Sequence, residues 1–104
     1  MKSFRLKINK NALLDIQEST IWYNEQLPKL GSRFQKTVKH HIEKLKYNAD
    51  SYSIRYADVR CTLIKKFPFL IHFRIDETNQ IVEIFAIIHT SRNPKIWEKK
   101  TKKG

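Results

Sequence analysis

Four basic side chains in the second half of the chain are the residues best suited to chemistry: Arg60, Arg74, His89 and Arg92. Guanidinium groups bind phosphate oxygens through paired N–H donors, and histidine can accept or donate a proton near neutral pH. If antiparallel strands brought these four residues to one rim of a sheet, they could bind RNA and cleave its backbone.

Each of these basic residues also has a purely structural interpretation. Arg74 would pair with an acid, for which Glu83 is the nearest candidate within a strand. Arg92 would donate hydrogen bonds to carbonyl groups and hold a final helix in place. His89 would cap backbone groups at the end of its strand. The residue pattern leaves the two interpretations open.

The other candidates for chemistry are weaker. His40 and His41 are adjacent on a predicted helix, where neighbouring side chains point about 100° apart and do not easily chelate one ion. There is no CxxC motif and, with two glycines, no Gly-rich phosphate loop, so no metal and no cofactor are predicted. Cys61 lies in an apolar alternation and is interpreted as buried filler. Trp97 either packs against a sheet edge or stacks on an RNA base.

Two long strands must position these residues. Residues 67–75 alternate with the period of two that is typical of a strand. One face is apolar and is expected to lie under helices: Phe67, Phe69, Ile71, Phe73 and Ile75. The other face, with His72 and Arg74, is expected to be open and to form a functional side together with His89. Residues 81–88 are apolar on both faces except at Glu83, which is expected to share a face with Phe85, Ile87 and His89.

The first half of the chain predicts one strand and two helices. Residues 4–8 alternate as a short strand, and residues 27–32 contain the Pro and Gly of a turn between two amphipathic helices. The buried stripe of the first helix is expected to be Leu13, Ile16, Thr20 and Tyr23. The apolar face of the second, which runs to about Tyr47, is expected to be Phe34, Val38, His41, Ile42 and Leu45.

The remaining segments complete a single α+β domain that spans residues 1–104. Residues 48–57 are expected to form a loop, 59–64 a strand and 76–80 a hairpin turn. Asn93 and Pro94 would open a short helix that carries Trp97, and residues 98–104 would be a frayed basic tail. The prediction is a β-α-α-β-β-β antiparallel sheet, with a two-helix hairpin on one face and a short C-terminal helical tail.

The charge of the chain restricts its partners. The 104 residues include 21 Lys and Arg against 10 Asp and Glu, a formal net charge of +11 with a pI near 10. Such a charge attracts polyanions, so nucleic acid, a nucleoprotein particle or an acidic protein are the expected partners. One cysteine excludes an intrachain disulfide framework and fits a reducing cytoplasm. No apolar run is long enough for a membrane span or a secretory signal.

The order of several short segments resembles the RelE/ParE superfamily of toxins from type II toxin–antitoxin systems. The closing pattern His-x-x-Arg-Asn-Pro-x-x-Trp, from His89 to Trp97, is the most specific of them. The earlier segments are residues 15–16, 22–23, 30–34, 38–45, 59–60, 66–71 and 84–88. The resemblance covers residues 4–97, and it implies a small antiparallel sheet with two helices on one side.

The resemblance also implies partners and two alternative targets. An antitoxin would bind the toxin in a hetero-oligomer, and its usually acidic binding segment fits the positive charge. RelE-like members cut mRNA on the ribosome, and ParE-like members poison DNA gyrase without a recognised hydrolytic site. Arg60 matches a basic position of RelE-like members. Three apolar residues stand where those members often carry a functional Arg: Leu70, Ile71 and Phe73. Trp97 stands near their usual Tyr and cannot transfer a proton as a phenol does.

The sequence therefore predicts a growth-inhibiting toxin, with DNA gyrase favoured as its target. The alternatives are a ribosome-dependent mRNA endonuclease and a non-toxic basic nucleic-acid-binding module. Whether the chain is an enzyme stays open, and a catalytic site applies only to the endonuclease. That site would comprise Arg60, Arg74, His89 and Arg92. The residues predicted to bind the target or the antitoxin are His72, Phe85, Ile87, Arg92 and Trp97, and Phe85 and Ile87 are expected to form exposed apolar surface in the free toxin.

Overall fold

Two helices and five strands make up the part of the chain that the structure, a computed structural model, describes, which is residues 3–91. The predicted C-terminal helix and basic tail, with Arg92 and Trp97, lie outside the described residues. In chain order the elements are β1 (Arg5–Ile8), α1 (Lys10–Gln26), α2 (Leu30–Asn48), β2 (Ile54–Tyr56), β3 (Val59–Leu63), β4 (Phe69–Asp76) and β5 (Ile81–His89), with a 3₁₀ turn at Ala49–Ser51.

The strands form one sheet in the order β1-β5-β4-β3-β2. Every neighbouring pair is antiparallel except β1 and β5, which run parallel from Arg5 opposite Ile81 to Ile8 opposite Ile84. The predicted α+β class and the two-helix hairpin are confirmed. The sheet is mixed, however, and not antiparallel throughout.

One strand that the sequence did not predict accounts for this orientation. β2 lies within residues 48–57, which were expected to form a loop, and it has only three residues, of which Ile54 is 57% exposed. Each antiparallel pairing reverses the chain direction, so an additional strand after α2 reverses every later strand relative to β1. A strand this short and this exposed leaves no periodic pattern for sequence reasoning to detect.

The main core lies between the two helices and one face of the sheet, which we call the helix face. Its members from α2 are Phe34, Val38, Ile42 and Leu45, all buried as predicted, whereas His41 is half-buried. The helix face of β4 carries Phe69, Ile71 and Phe73, so the predicted aromatic face is confirmed. A second, smaller cluster comprises Val59, Leu70, Phe85, Ala86 and Ile88, and it lies on the opposite face, which we call the outer face.

Helix α1 packs through a different stripe from the predicted one. Ala12 is its buried residue, Ile16 and Tyr23 are half-buried, and Leu13 is 46% exposed, so the prediction for Leu13 was wrong. The stripe is rotated because α1 must contact both the sheet and α2. The two helices approach each other closely at Gly31, where an added Cβ would meet Thr20 and Asn24, and the Gly31 backbone N–H donates a hydrogen bond of 2.7 Å to Asn24 Oδ1.

A bulge in β5 changes which residues share a face. His72 pairs with Ala86 but Phe73 pairs with Ile84, so Phe85 is an extra residue on β5. After the bulge the alternation is reversed. Ile87 therefore belongs to the helix-face core, and Phe85 belongs to the outer cluster. The prediction that Glu83, Phe85, Ile87 and His89 share one face was wrong for this reason.

A side chain of α1 binds the sheet where β1 ends. β1 ends at Ile8, so beyond Ile84 the β1 side of β5 has no strand beside it. There the backbone N–H of Ile87 donates a hydrogen bond of 2.9 Å to Asp15 Oδ2. A backbone N–H on a sheet edge that is shielded from water and has no acceptor raises the free energy of the folded state. The Asp15 carboxylate supplies that acceptor.

Candidate functional site

Arg60 lies on the helix face of β3, opposite Phe73 of β4. Its Nη1 donates hydrogen bonds to the carbonyl oxygens of Tyr52, at 2.6 Å, and of Asp50, at 3.2 Å. These carbonyls belong to the segment that follows α2. Arg60 therefore fastens the end of the helical hairpin to the sheet.

Arg74 lies on the outer face of β4 and contacts two carboxylates. Its Nε is 3.5 Å from Asp58 Oδ2, and its Nη1 is 3.8 Å from Glu83 Oε1. The guanidinium also lies over the ring of Phe85, 4.8 Å from the ring centroid. The predicted pairing of Arg74 with Glu83 is confirmed, and Glu83 also contacts Lys7 at 3.9 Å.

His89 ends β5 on the helix face, opposite Phe69, with their ring centroids 5.2 Å apart. Its Nδ1 accepts a hydrogen bond of 3.1 Å from the backbone N–H of Ser91 and lies 2.7 Å from Ser91 Oγ. The structural interpretation of His89, a cap at the end of its strand, is confirmed. Arg92 and Trp97 lie outside the described residues.

The structure does not bring together the three predicted catalytic residues that lie within residues 3–91. Arg60 and His89 lie on the helix face and Arg74 lies on the outer face, so the sheet separates them. The partners of Arg60 and His89 on β4 are four residues apart, which is about 13 Å along a strand. The expectation that Arg74 and His89 share one side was wrong, because the β5 bulge moves His89 to the other face.

His72 occupies the centre of the outer face and is completely buried, with 0% of its surface exposed. Its Nδ1 lies 3.0 Å from the Tyr56 hydroxyl and 3.4 Å from Cys61 Sγ. Burial raises the pKa of the Cys61 thiol to about 11, so it is uncharged at neutral pH and a poor nucleophile. This cluster holds β2, β3 and β4 together rather than facing solvent, and the expected open position of His72 was wrong.

Phe85 and Ile87 are also buried, at 1% and 3% exposed, on opposite faces of the sheet. The expectation that they form exposed apolar surface was wrong, because Ile87 packs in the core under the helices and Phe85 packs in the outer cluster. Their role in binding a partner stays a prediction, as does that of His72.

A basic groove, which sequence reasoning did not find, lies between α2 and the turn from β3 to β4. It has two adjoining depressions of about 380 and 390 Å³. They are lined by Leu30, Arg33, Lys36, Thr37, His40, His41, Lys44, Lys65, Lys66 and Phe67. The sequence shows a polar face on the second helix and, separately, the pair Lys65-Lys66. Only the fold places them side by side.

His41 connects the two walls of this groove. Its Nε2 accepts a hydrogen bond of 3.1 Å from the backbone N–H of Lys65. Burial holds the pKa of His41 below its ordinary value, and the positive charges of Lys44 and Lys65 and the neighbouring His40 lower it further. A neutral His41 is also the form that can accept the Lys65 hydrogen bond.

An apolar groove of about 390 Å³ lies on the other side of α2, beside the edge strand β1. Its apolar lining comes from three elements: Leu6, Ile8, Ile16, Val38 and Ile42. Gln35, Lys39 and Glu43 of α2 complete it. Ile8 at the end of β1 is 36% exposed, so this groove presents apolar surface next to an unpaired strand edge.

Within residues 3–91, no three His, Cys, Asp or Glu side chains are close enough to hold a metal ion. Neither described helix has the length and apolar composition that crossing a membrane requires.

Comparison with known proteins identifies a family of toxins and structures with the same fold. The family model for the ParE toxin of type II toxin-antitoxin systems (parDE) matches residues 6–94. The chromosomal ParDE system of P. aeruginosa contains a chain that superposes with a TM-score of 0.76 at 18% identity, covering 88% of this chain and 100% of that one. No curated protein matches the chain significantly.

Two RelE structures share the same fold. A mutant of the E. coli toxin RelE in the free state superposes with a TM-score of 0.71 at 12% identity, covering 97% of each chain. The toxin–antitoxin complex RelBE2 of Mycobacterium tuberculosis matches with a TM-score of 0.59 at 16% identity, covering 88% of this chain and 97% of that one. At these identities the likeness concerns the fold.

Proposed function

The chain belongs to the ParE toxin family of type II toxin–antitoxin systems and has the RelE/ParE fold, and we therefore propose that it is a growth-inhibiting cytoplasmic toxin that acts on DNA gyrase without hydrolysing a substrate. A cognate antitoxin neutralises it. The observation that favours this target over RNA cleavage is the separation of Arg60 and His89 from Arg74 by the sheet.

RNA cleavage needs a proton acceptor at the attacking hydroxyl and a cation at the phosphate, each within hydrogen-bond distance of one reacting centre. In this chain the three candidates that the structure describes are engaged elsewhere. Arg60 binds two carbonyl oxygens, Arg74 binds two carboxylates, and His89 Nδ1 accepts from Ser91. The three positions expected to hold a functional Arg in a ribonuclease are the buried Leu70, Ile71 and Phe73.

The proposal is tested with purified toxin, gyrase, ATP and relaxed plasmid. The expected result is a loss of supercoiling activity together with linear plasmid that appears after detergent and protease treatment, because a poisoned gyrase stays covalently joined to cleaved DNA. Toxin mixed with its antitoxin before the assay serves as the control and should leave supercoiling intact. Supercoiling that continues at excess free toxin would rule out gyrase as the target.

The ribonuclease alternative is tested in parallel with ribosomes programmed with a defined mRNA. The mRNA is expected to remain intact at toxin concentrations that block gyrase, under conditions in which a known ribosome-dependent ribonuclease toxin cuts it. Cleavage at those concentrations would favour the RelE-like function. Growth arrest in cells, relieved by the antitoxin, separates both alternatives from a non-toxic nucleic-acid-binding module.

The apolar groove beside β1 is the surface that fits the antitoxin. It presents Ile8 and the half-buried Leu6 and Ile16 above the buried Val38 and Ile42, and β1 is an edge strand beside which a further strand could pair. An antitoxin segment with apolar residues on one side and acidic residues on the other would fill the groove and complement the net charge of +11. Lys39 at the rim is a local partner for such an acid.

We expect Ile8→Ser to weaken antitoxin binding by roughly tenfold, because a half-exposed isoleucine that becomes buried contributes about 1–2 kcal/mol. Ile54→Ser is the matched control. Ile54 lies on β2 at the opposite edge of the sheet, is 57% exposed and does not line the groove. Titration calorimetry of each variant with the antitoxin measures the effect. Equal dissociation constants for the two variants would place the antitoxin on another surface.

A further inference from the structure

The basic groove combines one face of α2 with the β3–β4 turn. Arg33, Lys36, His40 and Lys44 follow one another at intervals of three or four residues, so they form a single stripe along α2. The stripe spans eleven helical rises from Arg33 to Lys44 and is therefore about 16 Å long. No Asp or Glu of the described residues is among those that line the groove.

The turn contributes two more lysines, and its backbone holds one of them at a conformational cost. Lys66 has a φ of 71°, the left-handed region that glycine adopts without strain and a lysine adopts at about 1 kcal/mol. Lys65 is tied to α2 through the hydrogen bond of its N–H to His41. Both lysine side chains are exposed. The fold therefore keeps Lys65 and Lys66 beside the α2 stripe although a glycine would suit position 66 better.

The positive charges in the basic groove lie close enough together to repel one another. Five side chains with full positive charge line it, and they are Arg33, Lys36, Lys44, Lys65 and Lys66. Their mutual repulsion is unfavourable in the free protein and is relieved when an anion binds. Burial is the main cause of the lowered pKa of His41, and the positive charges of Lys44 and Lys65 add to it.

The side chains that line the groove favour a duplex backbone over unpaired bases. Proteins that hold single strands stack bases on exposed aromatic rings. The aromatic ring that lines this groove, apart from the two histidines, is that of Phe67. It packs into the core between Tyr23 and Phe34, with centroid distances of 5.1 and 5.2 Å. The groove therefore offers a row of cations for phosphates without a stacking platform.

We propose that this groove binds the phosphate backbone of duplex DNA. The choice of DNA rests on the proposed action on gyrase, whose substrate is a duplex. The groove lies on α2 and the β3–β4 turn, away from the apolar groove proposed for the antitoxin. The toxin would thus contact the DNA held by its target as well as the target protein.

The test measures fluorescence anisotropy of a labelled DNA duplex of about 20 base pairs with full-length toxin, over a range of salt concentrations and without gyrase. The groove variant carries Lys36→Gln, Lys44→Gln and Lys65→Gln. The control variant carries Arg5→Gln, Lys10→Gln and Lys46→Gln, three exposed positions that do not line the groove. The two variants have the same net charge, so a purely non-specific attraction would weaken them equally.

We expect the groove variant to bind at least tenfold more weakly than the wild type, with the slope of log affinity against log salt reduced by about 2–3. The control variant should stay within about threefold of the wild type. Equal losses in the two variants, or no loss in the groove variant, would overturn the proposal. Tighter binding to single-stranded RNA or to poly-glutamate than to duplex DNA would also overturn it.

A second pair of variants separates binding from folding. Lys66→Gly is expected to raise Tm by roughly 4 °C, because it relieves the left-handed strain, and to weaken DNA binding. Lys29→Gly is the matched control. It removes the same charge at a residue that also has a φ of 71° but does not line the groove. It should raise Tm without changing DNA affinity. Similar affinities for both glycine variants would contradict the assignment of Lys66 to the site.

These outcomes are independent of the gyrase assay. DNA binding that depends on the groove, in a toxin that leaves gyrase active, would support this inference and remove the proposed target. Gyrase poisoning that is unchanged by the groove variant, with no groove-dependent DNA binding, would remove this inference alone.

Discussion

Gly31→Ala is expected to lower the free energy of unfolding by about 3 kcal/mol, the upper range for adding a methyl group to a tightly packed site. A Cβ at this position would collide with the backbone carbonyl oxygen of Thr20 and would lie 2.6 Å from Asn24 Cγ. The carbonyl belongs to α1 and cannot rotate away, so the helices must separate. Their separation would also lengthen the 2.7 Å hydrogen bond from Gly31 N–H to Asn24.

Thermal unfolding followed by circular dichroism measures this effect, and the Tm should fall by on the order of 15 °C in a domain of this size. Helix propensity alone acts in the opposite direction, because alanine is up to about 1 kcal/mol better than glycine within a helix. A fall in Tm therefore indicates that the steric clash outweighs the gain in helix propensity, and a rise in Tm indicates the reverse. Ser32→Ala, at the exposed neighbouring position, is the control and should change Tm little. A Gly31→Ala protein at least as stable as this control would contradict the close approach.

Phe34→Ala is expected to cost about 3–5 kcal/mol, which is a large share of the stability of a small domain. Phe34 is completely buried, and its ring centroid lies 5.2 Å from each of the rings of Tyr23, Phe67 and Phe69. It therefore joins α1, the β3–β4 turn and β4 to α2. Its removal leaves a cavity and also breaks three aromatic contacts, each worth about 0.5–1.5 kcal/mol beyond burial.

Chemical denaturation in urea provides the measurement, with the midpoint shifted to lower urea at a similar slope. Phe34→Leu is the matched control, because it keeps most of the apolar volume and removes only the aromatic contacts. We expect its loss to be less than half of that of Phe34→Ala. Equal losses for the two variants would mean that the ring contacts, and not the filled volume, stabilise this part of the core.

The parts of the fold that sequence reasoning predicted are those with a local periodic pattern. The buried face of α2 and the aromatic face of β4 both follow from spacing within a single element. The short strand β2 has no such pattern, and neither does the rotation of α1 that exposes Leu13. The parallel pairing of β1 depends on how many strands precede β5, so it could not be predicted while β2 was missing.

The functional surfaces were harder to predict, because they depend on contacts between distant segments. One bulged residue, Phe85, moves Ile87 and His89 to the face opposite to Arg74 and so separates His89 from Arg74. The basic groove forms because the β3–β4 turn lies against α2, which joins Lys65 to His41 across 24 positions of sequence. The residue types alone indicated that the chain would attract polyanions. They did not indicate which surface would bind them.

The parallel pairing of β1 with β5 has a consequence for the order of folding. Arg5 lies opposite Ile81, so the two strands are separated by roughly three quarters of the chain, and contacts this distant in sequence form late and slow the folding rate. During synthesis β1 has no partner until β5 has emerged from the ribosome. The apolar groove beside β1, which we propose for the antitoxin, is therefore among the last surfaces to be completed. The antitoxin would bind a toxin in which all five strands are already paired.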